Sequence, residues 1–380
     1  MGGAIASTAI VGIERIKSKL DTPEFLPLSG LSGGHLVDYD NIRFFGWDIN
    51  SSNLFEAARN HGIVERQQLD PIRERLETLR PLPGIDNGSF QQRLQGDHLI
   101  PTTSLRDTVN RLKADISRFR AEGACDDIVV VNVTSTERPL SANNHALDSL
   151  EGLEFAIDRD EALISPSVLY AYAAISSGAP FANFTPNVAT DCAALRELSH
   201  RRRVPFAGKD GKTGQTLLKT ALAPLFRARA LRVDGWYSTN LLGNQDGVAL
   251  ADERAKSSKI ESKMNCLDSM LGYHVNSHRV EIHFHPPKGD NKEAWDSIDL
   301  SGFLGIRMQI KVNFQCSDSA LAAPLVVELA RLLQAAKIRG EFGAQEQLSS
   351  FFKSPETRDL HLAEHAFFTQ HQSLLDWLAE

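Results

Sequence analysis

The sequence predicts an α/β protein: an open, mostly parallel sheet interrupted by a mixed α+β unit, with the chain returning to the first domain afterwards. Three observations point there. Ile128-Val129-Val130-Val131-Asn132-Val133 is a continuous apolar run followed directly by Thr134-Ser135-Thr136-Glu137. Such a run suits a strand buried on both faces, and polar residues straight after it belong at the ligand-binding edge of a parallel sheet. A helical stretch at 166–177 then leads to a short apolar segment at 181–184 and a second polar turn, Thr185-Pro186-Asn187. From Val204 the texture changes to lysines, glycines, amides and alternating segments such as Arg279-Val280-Glu281-Ile282-His283-Phe284, which read as half-buried strands.

In chain order, Gly2-Gly3 opens a helix that sets Ile10, Ile13 and Ile16 on one face. A loop-rich stretch reaches Trp47, a helix follows at 53–60, and 71–122 has helical spacing broken by turns at 81–84 and Pro101. After the paired strands at 128–133 and 181–184, the inserted unit carries a strand at 233–238 and the alternating segment. A strand at 306–314, a long apolar helix at 320–337, and helical segments at 345–353 and 360–378 close the chain. The expected division is a Rossmann-like domain made of 1–200 and 303–380, enclosing a second unit at 201–302. The chain begins at Met1-Gly2-Gly3 with no strand ahead of its first helix, so the first strand of the Rossmann-like sheet is expected to be missing.

Composition narrows the function. The 41 basic and 48 acidic side chains give a net charge of −7, which argues against nucleic-acid or membrane-surface binding. No apolar run approaches the ~18 residues of a membrane span, and no basic region precedes the N-terminal apolar stretch as in a signal peptide. Cys125, Cys192, Cys266 and Cys316 lie far apart without a CxxC pair, so neither a disulfide framework nor a zinc site is expected and a reducing cytoplasm fits. His283 and His285 share one side of a strand without a third ligand, so no metal is expected. Of the 14 lysines, eight fall between Lys209 and Lys292. Either they form a solvated surface or they supply compact, titratable ammonium groups.

Gly208-Lys209-Asp210-Gly211-Lys212-Thr213-Gly214-Gln215-Thr216 contains a Gly-Lys-Thr triplet, but Phe206 stands where a P-loop needs glycine, and no convincing apolar strand precedes it. The small residues, hydroxyls and Lys212 ahead of a helix make either a phosphate cradle or an ordinary capping loop. Asn240-Leu241-Leu242-Gly243-Asn244-Gln245-Asp246-Gly247 either offers polar contacts to a sugar or forms a turn. Lys259 and Lys263 sit at i and i+4 of a helical stretch, where like charges repel unless an anion lies between them.

Taken in order, these segments resemble the myo-inositol-1-phosphate synthase family, in particular its shorter, archaeal-like branch. The motifs are Gly46-Trp47-Asp48, Val133 to Glu137, Ala182-Asn183-Phe184-Thr185-Pro186, the 208–216 loop, 240–247, and Lys259 to Lys263. They continue with Asp290-Asn291-Lys292, Asp318 with Ala322-Ala323-Pro324-Leu325, and Phe351-Phe352-Lys353-Ser354-Pro355.

The resemblance implies a cyclase that turns glucose 6-phosphate into an inositol phosphate, using a tightly held NAD regenerated in each cycle, in a homotetramer joined through the inserted unit. Developing oxyanions beside a phosphate need fixed cations, and crowding lysines lowers a pKa toward neutrality. It implies catalytic roles for Lys259, Lys263, Lys292, Lys353, Asp210 and Asp318. Lys259 would move the proton at the C5 oxygen, Lys263 would stabilise an oxyanion, and Lys292 and Lys353 would bind phosphate or oxyanion. It places the cofactor against Gly2, Gly3, Asp48, Thr134, Ser135, Thr136, Asn183, Thr185, Asp210, Thr213, Gly243, Asp246 and Asp318. The substrate would meet Thr213, Gly214, Gln215, Thr216, Asn240 and Asn244. Two departures stand out: Phe184 replaces a glycine of eukaryotic members, and the strand with its glycine turn ahead of the first helix is absent, pointing to a start codon placed too late or a shortened product. The alternatives to the synthase are a related sugar-phosphate carbocyclase and a non-catalytic homologue.

Overall fold

The computed structural model describes residues 1–31, 33, 35–86, 88–91, 96–140, 144–243 and 267–380. In chain order the helices are α1 (Ala4–Lys17), α2 (Leu54–His61), α3 (Arg66–Leu69), α4 (Arg73–Thr78), α5 (Leu105–Gly123), α6 (Leu150–Asp158), α7 (Pro166–Ser176), α8 (Ala193–Arg202), α9 (Gln215–Ala228), α10 (Asp318–Ile338) and α11 (Phe367–Ala379). The strands are β1 (Trp47–Asp48), β2 (Leu82–Pro83), β3 (Val130–Asn132), β4 (Phe181–Asn183), β5 (Pro205–Gly208), β6 (Arg232–Leu242), β7 (Ser277–Phe284), β8 (Asn291–Ser301), β9 (Arg307–Ser317) and β10 (Gly343–Ala344).

A parallel sheet runs β10-β5-β4-β3, and β1 and β2 form a separate parallel pair. Alternate residues of the central strands feed two cores. Ile128, Phe181 and Val204 pack with apolar residues of α5, α6, α7 and α8, whereas Val129, Val131, Val133, Ala182 and Ala207 pack with α1, α10 and α11. Helices on both faces define the doubly wound layer and explain the uninterrupted apolar run that marks β3. Among the described residues no strand precedes α1, whose first helical residue is Ala4. By length and composition α10 could cross a membrane, but 67% of its apolar window is buried against the sheet and neighbouring helices, as in a core helix.

The second sheet runs β7-β6-β8-β9, with β6 parallel to β7 and antiparallel to β8. Helix α9 covers one face through Ala223 and Phe226, against Val233, Trp236, Ile298 and Leu300.

Several local expectations change. The 205–208 segment is a strand of the parallel sheet, too short and too bracketed by Pro205 and Gly208 to show as an apolar run. Residues 307–317 belong to the second sheet, not the first. The 81–84 turn includes the short strand β2, and Asn240 lies inside β6. In place of a 345–353 helix there is a 3-10 turn at Glu346–Phe351 followed by extended chain, and the terminal helix starts only at Phe367.

Candidate active site

The C-terminal ends of β3, β4 and β5 carry the polar residues of the first site region. Asn132, the last residue of β3, donates through Nδ2 to Ser167 Oγ (3.2 Å) and Asn183 Oδ1 (3.3 Å), while its own Oδ1 accepts the Thr134 amide (3.2 Å). Thr185 donates to Asn183 Oδ1 at 2.7 Å, and Asn187 Nδ2 donates to the Ser135 carbonyl at 3.0 Å. Glu137 is buried, accepts both the amide and the hydroxyl of Ser167, and is pushed up to about 7 by burial, with the Ser167 and Ser165 hydrogen bonds opposing the shift. Thr134, Ser135, Thr136, Asn183 and Thr185 are thus brought onto one sheet edge. Glu137 and Asn187, which stand in the polar turns after the two strands, and Asn132 and Ser167 complete the network but were not among the expected site residues; polar residues ending a buried apolar strand were the available signal.

The separate β1–β2 pair contributes Asp48, the last residue of β1. Its carboxylate accepts the Gly2 amide at 2.7 Å and the Asn50 amide at 3.0 Å. A Cβ on Gly2 would stand 3.2 Å from Asp48 Oδ2, and Gly3 starts α1 with no side-chain cap on the helix amides. Open amides at a helix start, a carboxylate at the end of the next strand and a hydroxyl-rich edge at β3 and β4 fit a dinucleotide, so these residues could hold one.

The second region is built on residues 208–216, which follow β5 and run into α9. This loop pairs with the extended chain after the 3-10 turn: Lys353 N donates to Asp210 O (2.7 Å), Lys209 N to Ser354 O (2.8 Å), and Lys212 N to Phe351 O (2.8 Å). The pairing sets Asp210 opposite Lys353, whose Nζ donates to Asp210 Oδ1 at 2.6 Å with both side chains buried. Asp210 holds a left-handed φ of 62° while its amide donates to Thr185 O at 2.9 Å, tying this loop to the β4 edge. Farther along, Thr213 Oγ1 and Lys292 Nζ both donate to Asp318 Oδ1, at 3.0 and 3.2 Å. Lys292 comes from β8, Asp318 from the first turn of α10 and Thr213 from the loop after β5, so a strand, a helix and a loop converge.

At the start of α9, Gln215 donates to Asp296 Oδ2 (3.1 Å) and accepts from Asn240 Nδ2 (2.6 Å). Asp296 also accepts from Trp236 Nε1 and Ser238 Oγ, at 2.7 and 2.6 Å. Among the described residues, three buried polar atoms here have no hydrogen-bond partner: Asp210 Oδ2, Thr216 Oγ1 and Asn240 Oδ1. An unsatisfied buried acceptor or hydroxyl costs ~1–3 kcal/mol, so three in one site call for a ligand.

Lys212 is buried, with Nζ donating to Gln370 Oε1 (2.6 Å) from α11, and Lys219 is buried with Nζ 2.8 Å from His278 Nε2. Neither Lys219 nor Asp296 was singled out from sequence, although Asp296 occupies an inward position of an alternating strand. Gly243 packs against the turn at Pro286–Lys288 and Gly289. Lys259, Lys263, Asn244 and Asp246 lie outside the described residues. His283 pairs with Glu281 at the surface, and among the described residues no group of three metal-ligating side chains occurs.

A doubly wound α/β layer with a dinucleotide-compatible edge, joined to a buried lysine–carboxylate loop, defines a nucleotide-cofactor enzyme acting on an anionic substrate. The chain belongs to the myo-inositol-1-phosphate synthase family: that family's model, an NAD-binding one, matches residues 25–379. It is 39% identical to inositol-3-phosphate synthase 1 of Bacteroides thetaiotaomicron, over 97% of this chain and 91% of that protein. It is 33% identical to isozyme 1 of Arabidopsis thaliana over 79% of this chain, spanning 60% of that longer protein. The crystal structure of inositol-3-phosphate synthase from Caenorhabditis elegans superposes with a TM-score of 0.91 at 26% identity, covering 99% of this chain and 83% of that one. A myo-inositol-1-phosphate synthase-related protein from Thermotoga maritima shares the fold, with a TM-score of 0.82 at 22% identity.

Proposed function

We propose that this protein is an NAD-dependent inositol-3-phosphate synthase that converts D-glucose 6-phosphate to 1D-myo-inositol 3-phosphate by oxidation, enolisation, intramolecular aldol closure and reduction. The observation that carries the reading lies on and around the loop at 208–216: Asp210, paired with the buried Lys353 ammonium, Thr216 at the start of α9, and Asn240 of β6, bonded to Gln215, each keep a buried polar atom with no hydrogen-bond partner among the described residues. The relatives described above carry the synthase name, and no observation favours another carbocyclase or a non-catalytic role.

Bound NAD supplies a hydride acceptor for the first step and the hydride donor for the last. Gly2, Gly3, Asp48, Thr134, Ser135, Thr136, Asn183, Thr185, Asp210, Thr213, Gly243, Asp246 and Asp318 are the residues proposed to hold it. Thr213, Gly214, Gln215, Thr216, Asn240 and Asn244 are proposed to bind the phosphate and sugar chain. At the start of α9 the helix amides and the Thr216 hydroxyl face negative charge favourably. Lys353 donates a hydrogen bond to a developing oxyanion or to phosphate while Asp210 holds its ammonium in place. Lys292 does the same from β8, held by Asp318. Lys259 and Lys263 are proposed to move the proton at the C5 oxygen and to stabilise an oxyanion.

The proposed division keeps the cofactor domain at 1–200 and 303–380, with the strand exchanges described above, and the catalytic and oligomerising unit between them. A cytoplasmic homotetramer is proposed, for which the face of the second sheet turned away from α9, exposing Tyr237 and Trp295, offers surface. The test is incubation of the folded protein with glucose 6-phosphate and NAD, with products followed by phosphorus and proton NMR. An inositol monophosphate supports the reading, and its absence from protein that binds both ligands refutes it.

A further inference from the structure

Behind the Asp210–Lys353 pair lies a second cluster of charges, with Glu356 buried and Asp191, Arg196 and Lys209 half-buried around it. The loop and the chain after Phe351 run antiparallel, and two further bonds, Ser354 N to Lys209 O (3.2 Å) and Glu356 N to Gly208 O (2.8 Å), extend the pairing beyond Lys353. Asp210 and Lys353 form one cross-chain pair of this ribbon. Their neighbours Lys209 and Glu356 enter a separate cluster: Lys209 Nζ donates to Asp191 Oδ2 at 2.6 Å, and Glu356 Oε1 accepts from Thr190 Oγ1 at 2.9 Å. Arg196 Nη2 stands 3.6 Å from Glu356 Oε2, and the same guanidinium donates to Thr357 O at 2.7 Å. Glu356 is packed so closely under the loop that a Cβ on Gly208 would lie 2.3 Å from its Oε1. The cluster therefore ties together the turn after β4, the end of β5 and the ribbon strand that carries Lys353.

We propose that Glu356 is a positioning residue for the synthase reaction: with Asp191, Lys209 and Arg196 it fixes the ribbon register that sets the Lys353 ammonium on Asp210. This rests on the synthase reading for its kinetic consequence, but its structural half stands without it. The charges facing Glu356 are Asp191, Arg196, Lys209 and, beyond Lys209, Asp210, with the Cys192 thiol alongside. With Glu356 ionised, two cations balance two anions inside the cluster; with it protonated, one positive charge is left over. Burial first, and Asp191 second, push Glu356 up to about 7, so the balance changes close to neutrality. Lys209 remains charged because Asp191 and Glu356 outweigh its desolvation and raise its pKa.

The experiment compares wild type, Glu356→Gln and Lys209→Met by kcat and KM against pH, and by 13C NMR of protein labelled at lysine Cε, with Lys353 assigned through Lys353→Met. Glu356→Gln is expected to lower kcat about tenfold with KM for glucose 6-phosphate within twofold. It also removes an ionisation near pH 7 from the kcat profile and shifts the Lys353 resonance. Lys209→Met, which keeps Glu356, is expected to shift the Lys353 resonance in the same direction and supplies the reading if Glu356→Gln does not fold. An unchanged Lys353 resonance in both variants overturns the proposal, as does a kcat loss whose pH profile keeps the wild-type shape. If wild type makes no inositol phosphate, the synthase reading fails, while the Lys353 titration still decides whether the cluster positions the pair.

Discussion

Asp210 and Lys353, 143 residues apart in the chain, meet at 2.6 Å as opposite members of a short antiparallel ribbon. The pair is almost fully desolvated, so it owes its geometry to the backbone on both sides, and one carboxylate oxygen of Asp210 is left without a hydrogen-bond partner among the described residues. An ammonium held this way is oriented before substrate arrives, which is what stabilising a developing oxyanion requires.

Replacing Lys353 by methionine keeps the volume and removes the charge. The buried Asp210 carboxylate is then uncompensated, and the expected loss of stability is about 3–5 kcal/mol by chemical denaturation. Turnover is expected to fall by roughly 10²–10⁴. Asp210→Asn combined with Lys353→Met is expected to recover most of the stability and none of the turnover.

Thr216 offers a different signature, because its buried hydroxyl has no hydrogen-bond partner among the described residues. Thr216→Val is expected to leave the melting temperature unchanged or slightly raised. If the hydroxyl meets the substrate phosphate, binding weakens by about 1.5–3 kcal/mol, roughly 10- to 100-fold by calorimetry. Equal affinity in the two proteins would remove Thr216 from the cradle.

Gly211 is shaped by Phe184, since a Cβ there would lie 2.1 Å from the phenyl ring. Gly211→Ala is expected to cost about 1–3 kcal/mol through overpacking. In a double-mutant cycle with Phe184→Leu, the alanine should cost less. A strictly additive cycle would place the strain elsewhere.

Glu137 makes stability depend on pH. Its folded pKa, raised by burial to about 7 from 4.5, means the folded protein holds this proton more tightly than the unfolded chain. The stabilisation is therefore complete below about pH 4.5 and is lost as pH rises through 7, an effect of about 3 kcal/mol. Glu137→Gln, which keeps the acceptor for Ser167, should flatten the difference in stability between pH 5 and pH 8. The same slope in both proteins would assign the titration to other groups.

What could be read in advance followed from how strongly each segment constrains its environment. β3 and β4 announce themselves because strands covered on both faces must be apolar throughout, and the polar residues after them mark the edge. β5 stayed hidden because four residues bounded by proline and glycine carry no period. The helix expected over 345–353 gives way to extended chain after Phe351 because the two buried phenylalanines Phe351 and Phe352 suit either state, while the pairing partner of this stretch lies about 140 residues away. Lys292, Lys353, Asp210 and Asp318 were named through the family motifs, and the structure joins them as two lysine–carboxylate pairs. Glu356 and Asp296 were passed over, since a buried carboxylate looks like a surface one until its cationic or hydroxyl partners are seen.

The central claim is tested most directly by supplying folded protein with a trace of NAD and a hundredfold excess of glucose 6-phosphate, then counting turnovers by phosphorus NMR. The expected result is conversion of many equivalents of sugar phosphate to a single inositol monophosphate with no net change in absorbance at 340 nm, and loss of that conversion in Lys353→Met. Accumulation of reduced cofactor in step with sugar consumption, or no inositol phosphate from protein that binds both ligands, would contradict it.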